Sequence, residues 1–177
     1  MKTLFGILLG LAVNTVIEAT PHQALAVRED SQADASPHLE ARRAVRRINV
    51  DTSVRISDKE PFGRRKTYNR DQPPKSILIG NEYGRRRKDF FDARAGGEIR
   101  VEVTSYYTLL PPGDVELSYD IKLYEGTSEN SNDLDGRRKG TRLIPRNKAQ
   151  NFMIRVPNEK EGGDWAEVNF WINNLAA

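Results

Sequence analysis

The chain has 177 residues, a formal charge of +3 at pH 7, two histidines and no cysteine. No disulfide and no thiolate metal site is possible, and two histidines leave little scope for a zinc centre or for a nucleophile activated by imidazole. Stability has to come from a packed core, for which the length is sufficient.

Residues 1–26, MKTLFGILLGLAVNTVIEATPHQALA, have the three parts of a secretory signal. Lys2 is the positive start, residues 4–17 are largely apolar, and Ala24-Leu25-Ala26 offers small residues where a signal peptidase reads. The apolar run is shorter than the roughly 20 residues that span a bilayer, and Glu18 and Pro21 end it. Export with cleavage after Ala26 is therefore expected, giving a secreted or periplasmic protein with no transmembrane segment. Residues 27–44 are polar and without periodicity, and read as a flexible leader. One domain is expected over residues 45–177.

From Ile48 the hydrophobic period becomes two. In INVDTSVRI, Ile48, Val50, Thr52, Val54 and Ile56 share one side of a strand. The polar stretch 58–75, rich in Pro, Gly and Arg, reads as a long loop. SILIG at 76–80 and RKDFFDA at 87–93 are shorter strand candidates. Two long alternating runs follow: EIRVEVTSYYTL, with Ile99, Val101, Val103 and Tyr107 on one face, and DVELSYDIKLY, with Val115, Leu117, Ile121 and Leu123 on one face. Pro111-Pro112-Gly113 between them makes a hairpin. TRLI at 141–144, NFMIRV at 151–156 and AEVNFWI at 166–172 complete a set of six to eight strands. An antiparallel sheet with one dry face must cover that face. The expected fold is an all-β antiparallel sandwich of Greek-key or jelly-roll type, with a small closed barrel as the alternative.

The chemistry available is narrow. His22 lies in the signal and His38 in the leader, and no phosphate-binding glycine loop is present. A carboxylate pair drawn from Asp120, Glu125 or Glu167 could hydrolyse glycosides without histidine, but such pairs arise by chance in any acid-rich β protein, so no enzyme is expected and no cofactor is required.

Three segments invite a ligand. Residues 125–140 lose their apolar residues and gather Glu129, Asn130, Asn132, Asp133 and Asp135, hard oxygen ligands suited to calcium. An EF-hand register places Arg142 where a bidentate glutamate is needed, and Arg137-Arg138-Lys139 follows directly, so a plain crossing between strands is the expectation and calcium the alternative. The second segment is basic. Residues 42–94 carry sixteen Lys and Arg against seven acids, and Arg85-Arg86-Arg87-Lys88 is the densest cluster. Outside the cytoplasm such a cluster suits a polysaccharide or another anionic surface rather than nucleic acid, for which no aromatic-interleaved motif is present. Third, Trp165 and Trp171 fall on the polar side of their strand, where rings can stack on sugars. Together these features predict an exported, non-catalytic binding or structural module for an envelope or extracellular glycan or polyanion, with a calcium-stabilised protein-interaction domain as the alternative.

Overall fold

Alternation of apolar and polar residues becomes geometry in eight strands of a computed structural model that describes residues 45–59, 63–128, 130–160 and 163–177. They are β1 (Arg46–Asp58), β2 (Lys66–Ile79), β3 (Arg86–Ala95), β4 (Ile99–Leu110), β5 (Asp114–Tyr124), β6 (Leu134–Ile144), β7 (Ala149–Pro157) and β8 (Trp165–Ala176). One four-stranded sheet runs β2-β1-β8-β7 and the other β3-β4-β5-β6, every pair antiparallel. Their dry faces meet in one core that includes Ile48, Ile56, Val101, Leu117, Ile121, Phe170 and Ile172. The sandwich is as expected. No helix among the described residues is long and apolar enough to cross a membrane. The signal and leader assigned to residues 1–44 lie outside the described residues.

The connectivity is simpler than a Greek key. Each strand pairs with or lies beside its neighbour in sequence, and β8 returns to pair with β1. The result is an up-and-down meander pressed into two layers. The ring does not close into the alternative barrel, because β2 only lies against β3, and β6 against β7, across two open edges without a hydrogen-bonded ladder among the described residues.

Both edges explain where the sequence pattern misleads. Much of the stretch read as a loop at 58–75 is strand: β2 pairs with β1 from Lys66 onward. Pro73 and Pro74 are tolerated because the register slips there. Val50 faces Lys75 and Thr52 faces Gln72, so Asp51 stands opposite two residues in a bulge that requires no ladder N–H from proline. At the other open edge β6 begins at Leu134, so the second half of the apolar-poor stretch is strand and not crossing. Its core-facing side reads Gly136, Arg138, Gly140, Arg142 and Ile144, the register partners of Leu123, Ile121, Tyr119, Leu117 and Val115. Glycines admit a neighbour closely: a Cβ on Gly136 would lie 2.2 Å from the Pro157 carbonyl oxygen, and one on Gly140 would strike the Tyr119 ring. The arginines reach out of the open edge, Arg142 over the Phe152 ring. Charge pointing inward at an edge also discourages pairing with another chain.

A polar plug closes one end of the sandwich. Asn174 is fully buried; its amide donates to the carbonyls of Gly113 and Ile144, and its oxygen accepts from Arg46 Nε at 2.9 Å. Arg46 also donates to Asn147 and to the Asn174 carbonyl. Burial, followed by the nearby Arg146 charge, lowers the Arg46 pKa, with Asp114 opposing. The Asn174 amide ties its sheet to a turn and a strand end of the other, and Arg46 braces Asn174 from within the same sheet.

Candidate functional site

Because side chains alternate along a strand, each sheet has one face to water, and the two outer faces carry different chemistry. On the β2-β1-β8-β7 sheet the ladder sets outward residues in rows. Asp51 pairs with Trp171 and Trp171 with Asn151; the next row is Asp71, Ser53, Asn169 and Met153; the next is Asn69, Arg55, Glu167 and Arg155. Across the first two rows runs a shallow depression of about 640 Å³, lined by Asp51, Ser53, Asp71, Asn151, Asn169 and Trp171 among others. The β2 bulge brings Pro74 to its rim. Trp171 is 46 % exposed, unusual for so large an apolar ring. Asp51, Asp71, Asn151 and Asn169 make no side-chain hydrogen bond or ion pair with any described residue, so their donors and acceptors face water.

Trp165 behaves differently. Its ring is covered by the guanidinium carbons of Arg155, at 4.3 Å from the centroid, and Arg55, at 5.0 Å. Both arginines also pair with Glu167, which is almost fully buried beneath them. Glu167 has two cationic partners and Trp165 two cation–π contacts, so this end of the face is locked. Of the two expected tryptophans, Trp171 alone presents its ring.

The Arg85–Lys88 cluster is not beside them. Arg86 to Lys88 belong to β3, an edge strand of the opposite sheet, and Arg85 immediately precedes it. Arg86 lies 4.3 Å over the Tyr106 ring, Arg87 donates to the Tyr83 carbonyl and Arg85 to the Leu109 carbonyl. On the outer face of that sheet, charges satisfy one another. Asp120 receives two hydrogen bonds from Arg137 and lies near Lys139, and Arg137 holds the Asp120 pKa below the usual carboxylate range. Glu102 meets Arg100, Lys122 and the Tyr124 hydroxyl.

The oxygen-rich segment between β5 and β6 is also internally engaged. Lys160 Nζ contacts both Asp133 and Asp135, and these two carboxylates, Asp133 first, raise the lysine pKa. Asp135 accepts from the Glu125 N–H, Asn130 from Arg94 and Asn132 from Arg100. Glu129 lies outside the described residues. Three or more His, Cys, Asp or Glu side chains placed to hold a metal do not occur among the described residues. The carboxylates considered for glycoside hydrolysis are also dispersed: Glu167 is on one outer face, Asp120 on the other, and Glu125 follows the end of β5, where Asn158 donates to it.

Sequence reading placed Trp171 on the polar side of its strand, which includes Asn169, but missed the polar residues that β1, β2 and β7 bring beside it. Asp51, Ser53, Asp71, Asn151 and Asn169 share one signal, short side chains at outward positions where Lys, Glu or Arg is the common choice. Asp71 stood in the presumed loop, so the row was incomplete until β2 was placed.

No family model matches the chain, and no curated protein matches it. Among solved structures, the Salmonella SPI-1 type III secretion injectisome secretin InvG, residues 176 to the end in the open gate state, is similar at 10% identity with a TM-score of 0.23. The likeness covers 75% of this chain and 60% of the secretin chain, and it carries no argument about fold or function.

Proposed function

We propose that the protein is an exported, non-catalytic binding module that takes a glycan on the outer face of the β2-β1-β8-β7 sheet. The observation that supports this is an exposed Trp171 ring set among polar groups that no other described residue occupies. An aromatic ring stacks on the apolar face of a pyranose, and short amides and carboxylates accept and donate to its hydroxyls without the entropy cost of ordering long side chains. Calorimetry with a panel of soluble oligosaccharides tests the reading. At least one sugar binds and changes tryptophan fluorescence, and Trp171→Ala weakens it on the order of tenfold or more. A panel in which no sugar binds removes the proposal.

A second reading concerns the other sheet. Arg85, Arg86 and Arg87 direct their guanidinium groups to carbonyls or to a ring, so their charge is not cancelled by a carboxylate partner there. That supports an anionic polysaccharide or surface at the β3 edge. Retention on heparin that is lost at moderate salt and in an Arg85–Lys88 charge-removed variant is expected; flow-through at low salt refutes it.

A further inference from the structure

We infer that the glycan taken by the Trp171 face carries free amino groups, so that its charge is positive. This rests on the glycan reading above and narrows it. Asp51 is the direct register partner of Trp171, on the neighbouring strand of the same face. Asp71 stands one row along, opposite Ser53, which places it diagonally across from Asp51 at on the order of 7–8 Å. Both carboxylates line the depression, and among the described residues neither has a cation for a partner and no Lys or Arg lines it. The negative charge is local to the depression, because the wider face is balanced, three arginines against three acids. On β1 the outward charges are Arg47, Asp51 and Arg55; on β2, Asp71; on β7, Arg155; on β8, Glu167. Arg55 and Arg155 are committed to Glu167 and to the Trp165 ring, and Arg47 lies four residues along β1 from Asp51.

Two unpartnered carboxylates beside an exposed indole make a cation receptor with a wall for a sugar ring. The face of the indole is the negative end of its quadrupole and attracts an ammonium group; the adjacent carboxylate supplies the counter-charge. Asn151 and Asn169 have both donors and acceptors for neighbouring hydroxyls. A uronate or sulfated chain would bring anions to Asp51 and Asp71 and be repelled. Polyanion binding, where it occurs, belongs to the β3 edge and not to this face. An oligomer of β-1,4-linked glucosamine fits, whereas its N-acetylated form offers no charge for either carboxylate.

The test compares glucosamine, N-acetylglucosamine and glucose oligomers of equal length and linkage. Calorimetry is run at about pH 5.5, where the amine is protonated, and at about pH 9, where a sugar amine, weakened by neighbouring oxygens to roughly the basicity of an α-amino group, is mostly neutral. The glucosamine oligomer is expected to bind on the order of tenfold tighter than the others at the lower pH. The preference shrinks at the higher pH, and Asp51→Asn and Asp71→Asn each narrow it. Thermal melts confirm that these variants fold. Equal or tighter binding of the acetylated or glucose oligomer overturns the inference while leaving the glycan reading standing. Failure of all three oligomers to bind overturns the inference, and the glycan reading falls with it only when the wider oligosaccharide panel fails too. Glucosamine binding that persists undiminished in Trp171→Ala and Asp51→Asn places the attraction elsewhere on the protein and also overturns the inference.

Discussion

The two outer faces of the sandwich were built by the same alternation and ended with opposite habits. On the β3-β4-β5-β6 side the outward positions hold long chains that engage one another, Asp120 with Arg137 and Glu102 with Arg100 and Lys122 as ion pairs and Arg86 over the Tyr106 ring. On the β2-β1-β8-β7 side, around Trp171, they hold Asp, Asn and Ser, too short to reach across to a neighbour. A short polar side chain on a flat sheet cannot satisfy itself; its hydrogen-bonding capacity is left for water or a ligand. The faces differ less in charge than in how many of their polar groups have partners among the described residues. One corner of the same sheet illustrates the contrast, because Arg55, Arg155, Glu167 and Trp165 form a closed unit there.

Substitutions can break or sharpen this comparison. Phe170 is fully buried between the layers, stacked on Phe152 and 6.2 Å from Tyr119 of the opposite sheet. Phe170→Ala should cost about 3–5 kcal/mol in denaturant unfolding and lower both faces together, since they share one core. A smaller loss, about 1–3 kcal/mol, is expected for Asn174→Ala, which strands the buried Arg46 Nε and the carbonyls of Gly113 and Ile144. Equal stability of that variant and the parent would show that the plug is not holding the sheets. Trp171→Ala should change stability by less than about 1 kcal/mol, because the ring is half in water, while weakening sugar binding on the order of tenfold or more. Tyr106→Ala on the opposite face should leave sugar binding as it was; a loss of sugar affinity there would shift the site to the other sheet.

The smallest effects concern charge. Asp120 has a folded pKa below the usual value, so its ion pair with Arg137 contributes in full above about pH 4–5 and is lost as pH falls through the depressed value. The stability difference between the parent and Asp120→Asn should therefore narrow only under acid conditions, as read from melts across pH. A difference that is constant with pH would sever the link to the ion pair. With Lys160 already on Asp133 and Asp135, calcium or a chelator is expected to leave the melting temperature unchanged. A clear rise with calcium would make the segment between β5 and β6 a metal site after all.

Much of the fold was legible. The inward runs of β1, β4, β5 and β8 alternate without interruption because both neighbours of each strand bury one face of it, and Pro111-Pro112-Gly113 placed the turn between β4 and β5. The edge strands β2 and β6 were not legible from their own residues. Each has a neighbour on one side only, so their core-facing positions can carry Gln72, Lys75, Gly136, Arg138 and Arg142 instead of aliphatic residues, and the period-two signal disappears.

The sequence by itself determined an all-β fold over an aliphatic core without disulfides, since period-two runs of this length must cover their apolar faces. It also marked Trp165 and Trp171 as outward. That the cover is a second sheet and not barrel closure was decided by the tertiary structure. Only the tertiary structure decided that Trp165 is covered and Trp171 open, that the Arg85–Lys88 cluster is on the opposite sheet, and that Asp51, Asp71, Asn151 and Asn169 meet around one ring. Those outcomes depend on register between strands distant in sequence, and register is set by packing across the whole sheet rather than by any one segment.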